Sequence, residues 1–343
     1  MLLFPVLLVA ALLGAAGPDA PAAASEAAAS EASSAETAAR AWSDFPGLPI
    51  YAPMNPFEYT RSALFSPPLL RPAGTWAFSL QLDYASAIEL YDNKPNSVLL
   101  DAELGHLTFT ATFRLSRNVF LLVNGGVQGA YRGFLDAPLD VYHSVLGITY
   151  RARDLRPENV FGYNFRSETE IQAYKPVDLT LLDTRVGVGW MIADDLQLLG
   201  TLVLPTAWVD GYAAHTVQFG LLLTWQRPLW SWFVFQGTLG LGATPRTDGM
   251  LRPYQNLVFG SASLGGRARL SQRNFLYVNS FFQSSIYRNT GDHPLDYWDI
   301  SVDVGWMFRT DAGWEFSAGL TEDVLAAGPA LDIILRFGVR HGF

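Results

Sequence analysis

One short stretch of the chain combines residue types that could form a hydrolytic centre. His143 and Ser144 are adjacent, and Asp140 lies three residues before His143. A nucleophilic serine needs the imidazole of its base within about 2.6–3.2 Å and a carboxylate that orients the imidazole. The spacing here is helical, and adjacent residues of a helix do not face each other. We therefore interpret the pair as a poor nucleophile and base, and we predict no catalytic residue.

Other sites for chemistry are also weakly indicated. The chain has five widely spaced histidines and no cysteine, so we predict no metal, no disulfide and no cofactor. Gly187-Val188-Gly189 and Gly240-Leu241-Gly242 lack the strand–turn–helix context of a phosphate loop and indicate close packing within strands. The net charge is −9, without a basic cluster, which indicates that nucleic acid is not a partner.

The segments around these residues alternate apolar and polar side chains, as strands do. Twelve such segments have about nine to fifteen residues, whereas soluble strands average about five to six and tilted membrane strands need about nine to eleven. The predicted strands cover about 76–84, 101–115, 118–131, 179–191, 196–205, 217–226, 231–243, 256–270, 274–287, 298–309, 313–321 and 331–343.

The connections between these segments alternate in length. Turns of a few residues alternate with longer loops at about 85–100, 132–178, 206–215, 244–255, 288–296 and 322–330. This pattern is typical of outer-membrane barrels. We predict an all-β fold, a transmembrane antiparallel up-and-down β-barrel of about twelve strands, with both termini in the periplasm. A soluble β-sandwich is the alternative, but it should have shorter strands.

The polar face of these strands is expected to line the lumen, because lipid accepts only the apolar face. The predicted lumen-lining residues are Asp83, Arg114, Asp183, Arg185, Arg267, Arg269, Asp303, Glu315, Asp332, Arg336 and Arg340. Their mixed charge has two interpretations. They pair with one another and stiffen the barrel, or they select a solute.

The first 73 residues differ in composition from the barrel. We predict a signal peptide over 1–16, although its basic region is absent, and a disordered Ala/Ser/Glu-rich periplasmic lead over 17–45. A periplasmic N-terminal segment over 46–73 and the barrel over 74–343 complete the predicted domains. Outer-membrane lipids are expected partners of the barrel.

The chain ends on a strand whose Phe337, Val339 and Phe343 share one apolar face. This ending resembles the terminal strand of Gram-negative outer-membrane barrels, where the final Phe is read by the assembly machinery. The resemblance implies an outer-membrane location and an assembly signal in these three residues.

The connection over 132–178 is too long for an ordinary loop. Residues 138–147 have helical spacing, with an apolar stripe and a proline in the first turn. This helix is expected either to fold over or into the barrel mouth, or to lie on the surface. The candidate plug residues in this loop are Arg132, Asp136, Asp140, Tyr142 and His143.

Short motifs in a fixed order support a family resemblance. They are Asn55-Pro56, Asp101-Ala102-Glu103, Gly133-Phe134-Leu135-Asp136, Asp140, Tyr142-His143, Leu146-Gly147, Arg153, Pro157, Phe161-Gly162-Tyr163 and Leu204-Pro205-Thr206. From about residue 46 to its end, the chain resembles bacterial outer-membrane proteins catalogued as domain of unknown function 3187. Tyr142 stands where the family would have Phe, and the stretch after Gly147 is only loosely similar. The resemblance implies a barrel and brings no known activity.

Three classes of function remain open on these observations. The leading prediction is a monomeric pore or uptake channel for small solutes, with the 132–178 loop restricting its mouth. The alternatives are a lipid-modifying enzyme of the outer membrane, or a structural or adhesin-like barrel that acts through its outer loops.

Overall fold

The computed structural model describes residues 45–67, 76–93, 96–146, 157, 159–291, 293–323, 331 and 333–342. Its strands are β1 (Trp76–Asn93), β2 (Asn96–Arg114), β3 (Val119–Tyr131), β4 (Gly162–Arg166), β5 (Ile171–Ala173), β6 (Val177–Leu181), β7 (Thr184–Ala193), β8 (Leu196–Leu204), β9 (Gln218–Trp230), β10 (Phe233–Ala243), β11 (Val258–Arg269), β12 (Asn274–Gln283), β13 (Asp299–Arg309), β14 (Glu315–Asp323) and β15 (Ile333–Gly342). Its helices are α1 (Pro56–Tyr59), α2 (Asp136–Leu146) and α3 (His293–Asp296), with a 3₁₀ turn at Arg252–Tyr254.

Twelve antiparallel strands close into a barrel. From β1 to β3 and from β7 to β15 each strand pairs with the next, and β3 pairs with β7. The first and last strands pair from Ala77↔Gly342 to Ser86↔Ile333, which closes the ring. The predicted twelve-stranded up-and-down barrel is confirmed. Strands β4, β5 and β6 extend the sheet beside β2 and β3.

Two predicted boundaries differ from the structure. The predicted loop over 85–100 is mostly strand, because β1 and β2 remain paired from Trp76↔Phe113 to Asn93↔Asn96. Inward-facing Val98, Leu100 and Leu104 are buried there, so the hairpin continues for as long as its inner face is covered. The predicted strand at 179–191 is divided between β6 and β7.

The outer wall of the barrel is an apolar belt. Exposed large side chains occupy the outward positions of successive strands: Leu80, Leu82, Leu107, Phe109, Val188, Trp190, Phe219, Leu221, Leu239, Leu241, Leu276, Val278, Val304, Trp306, Phe316 and Phe337. Soluble monomers rarely expose contiguous apolar surface on this scale, whereas a barrel in lipid requires it. Among the described residues, no helix is long and apolar enough to cross a bilayer.

The two ends of the barrel differ in their connections. The short-turn end carries the connections 115–118, 194–195, 231–232, 270–273 and 310–314. The long-loop end carries the hairpin tip of β1 and β2, the excursion after β3, and the loops 205–217, 244–257 and 284–298.

Candidate functional site

Residues 45–67, called the plug from here on, lie inside the barrel. Near the short-turn end, the backbone N–H of Gly47 donates to Glu315, the first residue of β14. Near the long-loop end, Asn55 donates to Glu89 of β1 at 2.8 Å. The chain then returns, and Gln236 of β10 donates to the carbonyl of Pro67. The plug therefore rises through the lumen, turns and descends.

Local sequence explains the turn at the top of the plug. The Asn55 side chain caps α1 by accepting the backbone N–H of Phe57 at 3.0 Å, and Pro56 occupies the first turn. The descending arm meets the ascending arm where the N–H of Ser66 donates to the carbonyl of Tyr51. The result is a narrow hairpin-like segment.

The wall of the barrel is shaped to hold the plug. A Cβ at Gly220 would lie 3.1 Å from the carbonyl oxygen of Ala63, and one at Gly240 would lie 3.1 Å from the Leu64 side chain. Glycine at these two wall positions makes room for the descending arm. The largest cluster of buried apolar residues accordingly mixes plug and wall.

The position of the plug differs from the position that the sequence predicts for these residues. The sequence predicts a periplasmic segment over 46–73, but residues 46–67 are inside the barrel, and 68–73 lie outside the described residues. Burial of Phe45, Met54 and Phe65 gives the physical reason, since these apolar side chains have a lower free energy when buried in the lumen than when exposed to water. The predicted signal peptide and the predicted lead up to residue 44 also lie outside the described residues.

Three predicted lumen residues form one buried ion network. Arg336 donates to Asp83 at 2.7 Å and also to Asp303. Its guanidinium carbon lies 5.4 Å from the centre of the Tyr51 ring in the plug. The network joins β1, β13 and β15 to the plug.

Most of the other predicted lumen residues also contact the plug. Arg267 donates to the carbonyl of Pro46 at 2.6 Å. Arg185 stacks on Phe65, and Arg269 on Phe45, at 4.3 and 4.5 Å from the ring centres. Glu315 accepts from Gly47, and the guanidinium of Arg340 lies against the same glycine.

Two of the remaining predicted lumen residues lie in other surroundings, and the third is not described. Arg114 is half-buried at the last position of β2, opposite Phe120 of β3. Asp183 lies between β6 and β7, where it accepts the backbone N–H groups of Ala207 and Ala214 at 2.9 and 2.8 Å. Asp332 lies outside the described residues.

The helix of the long loop lies on the outer wall, not in the mouth. Leu135 and Leu139 pack against Ile333 and Leu335 of β15. Side chains alternate between the two faces of a strand, and Arg336 of β15 faces the lumen. Ile333 and Leu335 therefore face away from the lumen. The expectation that the helix of this loop restricts the mouth is therefore corrected, and the surface alternative holds for α2, whereas residues 163–174 of the same loop do lie at the mouth.

The candidate residues of that loop lie within α2 or shortly before it. Arg132 and Asp140 are exposed, and half-buried Asp136 accepts the N–H of Asn159 at 2.6 Å. Tyr142 and His143 lie within α2, but their side chains lie outside what the structure describes. The adjacent Ser144 donates to the carbonyl of Val141 within the same helix.

The residues of the predicted assembly signal lie on the last strand. Phe337 is exposed and Val339 is half-buried, both at outward positions of β15. Phe343 lies outside the described residues. Any recognition of this strand remains a prediction.

A cavity of about 550 Å³, the vestibule, opens at the long-loop end above the plug. Its floor is the plug tip with Phe57 and Arg61, and its walls come from 163–174, 210–216, 246–255 and Tyr287. The ring of Tyr163 lies 5.1 Å from that of Phe57 and 4.4 Å from that of Tyr174. A cavity of this size suits a small molecule.

Sequence reasoning missed both the plug and the vestibule. A signal for the plug exists, because 45–67 contains Phe45, Tyr51, Met54 and Phe57, whereas the preceding Ala/Ser/Glu tract is poor in large apolar residues. The vestibule has no comparable signal, since its walls come from loops far apart in sequence.

The tip of the plug carries a buried acid. Glu58 accepts from Gln283 at 3.2 Å. Burial raises the pKa of this carboxyl well above its ordinary value, and the nearby charges of Asp299 and Glu89 raise it further. Docking of the plug therefore favours protonated Glu58.

Comparison with known structures identifies related barrels. The COG4313 outer membrane channel from Pseudomonas putida F1 aligns with a TM-score of 0.53 at 14% identity, over 80% of this chain and 97% of that chain. A Pseudomonas aeruginosa FadL homologue aligns with a TM-score of 0.41 at 9% identity, over 87% and 99% of the two chains. At this identity, the first similarity shows a shared fold.

Comparison of sequences gives a family. The model of the family described as "Protein of unknown function (DUF3187)" matches residues 48–343, which confirms the resemblance drawn from the motifs. The match includes most of the plug. No curated protein matches the sequence.

Proposed function

The chain belongs to the DUF3187 family, and we propose that it is an outer-membrane channel for small solutes which the plug closes. One observation carries the proposal. Among the described residues, the plug makes backbone bonds only within itself, and side chains provide its hydrogen bonds to the wall. The plug can therefore leave the lumen without breaking the strand pairing that holds the barrel closed.

The side chains facing the plug support passage of water-soluble molecules. Uncharged amide and hydroxyl side chains line the lumen at Gln81, Thr112, Gln128, Gln218, Thr238, Gln236, Ser263 and Gln283. Several of them bind plug atoms, such as Gln218, which donates to the carbonyl of Thr60 at 2.8 Å. When the plug leaves, these groups can bind water instead, so the empty lumen is polar, as in porins.

A channel of this kind also has a defined orientation in the membrane, and the barrel-assembly machinery is its partner. The short-turn end faces the periplasm, where both termini lie, and the vestibule faces the exterior. Phe337, Val339 and Phe343 serve as the assembly signal of a monomeric barrel. His143 and Ser144 are assigned no catalytic role, because adjacent residues of a helix do not face each other and Ser144 donates to the carbonyl of Val141.

A disulfide between plug and wall tests the proposal. Ser66 Oγ and Ser263 Oγ are 3.0 Å apart, and the chain has no cysteine of its own. The double variant Ser66→Cys/Ser263→Cys should form a disulfide after small adjustments of both side chains. In planar bilayers, we expect the oxidised protein to lose its conductance and the reduced protein to regain it.

The single variants Ser66→Cys and Ser263→Cys are the matched controls and should not respond to oxidation. If the oxidised and reduced double variants conduct equally, the plug does not close the channel. If no variant conducts under reducing conditions, the channel proposal is wrong. Lipid turnover by the non-conducting protein would then favour an enzyme.

A further inference from the structure

Arg61 is a buried cation that has no carboxylate partner among the residues that the structure describes. Its residue is 2% exposed, and it lies at the vestibule floor. Its guanidinium donates to the carbonyls of Pro245, Thr244 and Asn256 and to the hydroxyl of Thr247, at 3.1–3.4 Å. The Nε of Arg61 has no acceptor among the described residues. All of its acceptors are neutral, so its positive charge is uncompensated.

A second arginine lies above this floor. Arg246 lines the vestibule and uses its Nε to donate to the carbonyl of Gln255 at 3.2 Å. Burial lowers the pKa of Arg61, and repulsion from the charge of Arg246, which lines the same cavity, lowers it further. An anion between or above them would relieve this repulsion.

The two acids that line the vestibule each contact a neighbouring polar side chain. Asp210 is 3.1 Å from His215, and Asp248 is paired with Arg252 four residues later. Among the described lining residues, Arg61 and Arg246 form no salt bridge with a carboxylate. The vestibule therefore attracts negative charge.

The rest of the lining limits the size and shape of that anion. Tyr163, Phe165, Tyr174 and Leu251 provide aromatic and apolar surface beside the arginines. A guanidinium binds a carboxylate through two parallel hydrogen bonds. A flat apolar body attached to a carboxylate fits both features.

We infer that the vestibule binds small organic carboxylates, with Arg246 as the residue that contacts the carboxylate and Arg61 as a fixed positive charge beneath it. This rests on the proposed function and names the class of solute that the channel admits. Arg61 belongs to the plug, so the charge that attracts the solute is part of the segment that must move.

Binding of benzoate by the purified full-length protein in zwitterionic detergent tests the inference. Titration calorimetry should show saturable binding of benzoate, and benzamide, its neutral analogue, should bind at least about tenfold more weakly. The variant Arg246→Gln should weaken benzoate binding about tenfold and leave benzamide unchanged. Arg246 does not hold the plug, so the variant keeps the floor of the site.

Arg273→Gln is the control, because it makes the same charge change at the short-turn end, where Arg273 pairs with Asp311. It should leave benzoate binding unchanged. Equal binding of benzoate and benzamide, or binding that Arg246→Gln does not affect, overturns the inference. The measurement involves no transport, so carboxylate binding by a barrel that never conducts would refute the channel and keep the site.

Discussion

The protonation state of one buried residue, Glu58, affects the stability of the docked plug. Glu58 lies at the plug tip, 4% exposed, near the further acids Asp299, Glu89 and Asp323. A carboxyl in such surroundings is more stable in its neutral form, because ionisation would bury a negative charge among others. The plug therefore docks with a proton that Glu58 tends to lose when it reaches water.

This proton predicts how plug release depends on pH. The docked Glu58 has a raised pKa, so docking is fully favourable below the ordinary pKa of about 4.3 and weakens as pH rises toward the raised value. Bilayer recordings should show channel opening that increases with pH. The variant Glu58→Gln, which is always neutral, should flatten this increase.

Glu168→Gln serves as the control for that prediction, because Glu168 is exposed in the connection between β4 and β5. It should keep the pH profile of the unaltered protein. A profile that Glu58→Gln leaves unchanged would assign the pH dependence to other acids.

Among the elements, α2 shows how periodicity predicts a helix without predicting where it docks. The helical spacing at 138–147 and the observed helix at Asp136–Leu146 agree closely. Its apolar stripe could cover any apolar surface, and the structure places it against Ile333, Leu335 and Leu320 on the outer wall. The stripe is short, so its docking depends on a few contacts.

Removal of one such contact should release α2 without affecting the lumen. Leu139→Ala is expected to weaken docking by about 2 kcal/mol or more, because Leu139 is 4% exposed. Limited proteolysis should then cut faster within 132–161, while conductance stays unchanged. Val141→Ala is the control, since Val141 is 64% exposed. A change in conductance with Leu139→Ala would show that α2 acts on the mouth after all.

In the molecule as a whole, Arg336 connects the first and last strands at the place where the barrel closes. Arg336 of the last strand binds Asp83 of the first strand and Asp303 of β13. Its side chain is completely buried, so both carboxylates depend on it for compensation. Loss of one partner from a buried network costs more than loss of the whole network.

The variant Arg336→Met should therefore lower the free energy of unfolding by about 3–5 kcal/mol. Urea unfolding in lipid vesicles measures the change. Arg273→Met, which breaks an exposed pair with Asp311, should cost about 0–1 kcal/mol. The triple variant Arg336→Met/Asp83→Asn/Asp303→Asn should recover part of the loss. No recovery would mean that packing of Arg336, and not its charge, stabilises the seam.

The spacing of residues along the chain is sufficient to predict the wall of the barrel. Alternation along a strand is a local property with a period of two residues, so the strands, their faces and the predicted positions of Asp83, Arg267 and Arg336 follow from spacing alone. The boundaries were less accurate where strands continued past the membrane-sized length, as in the β1–β2 hairpin.

The contents of the lumen, in contrast, depend on contacts that exist only in the folded molecule. Ser62 binds Gln283, which is 221 residues away, and Ser66 binds Ser263, which is 197 residues away. No local pattern encodes such pairs, because each polar or apolar residue of the plug could find suitable contacts in many different environments. The same holds for the vestibule, whose arginines come from the plug and from the loop after β10. Contacts between distant segments become definite only when the sheet closes around the plug.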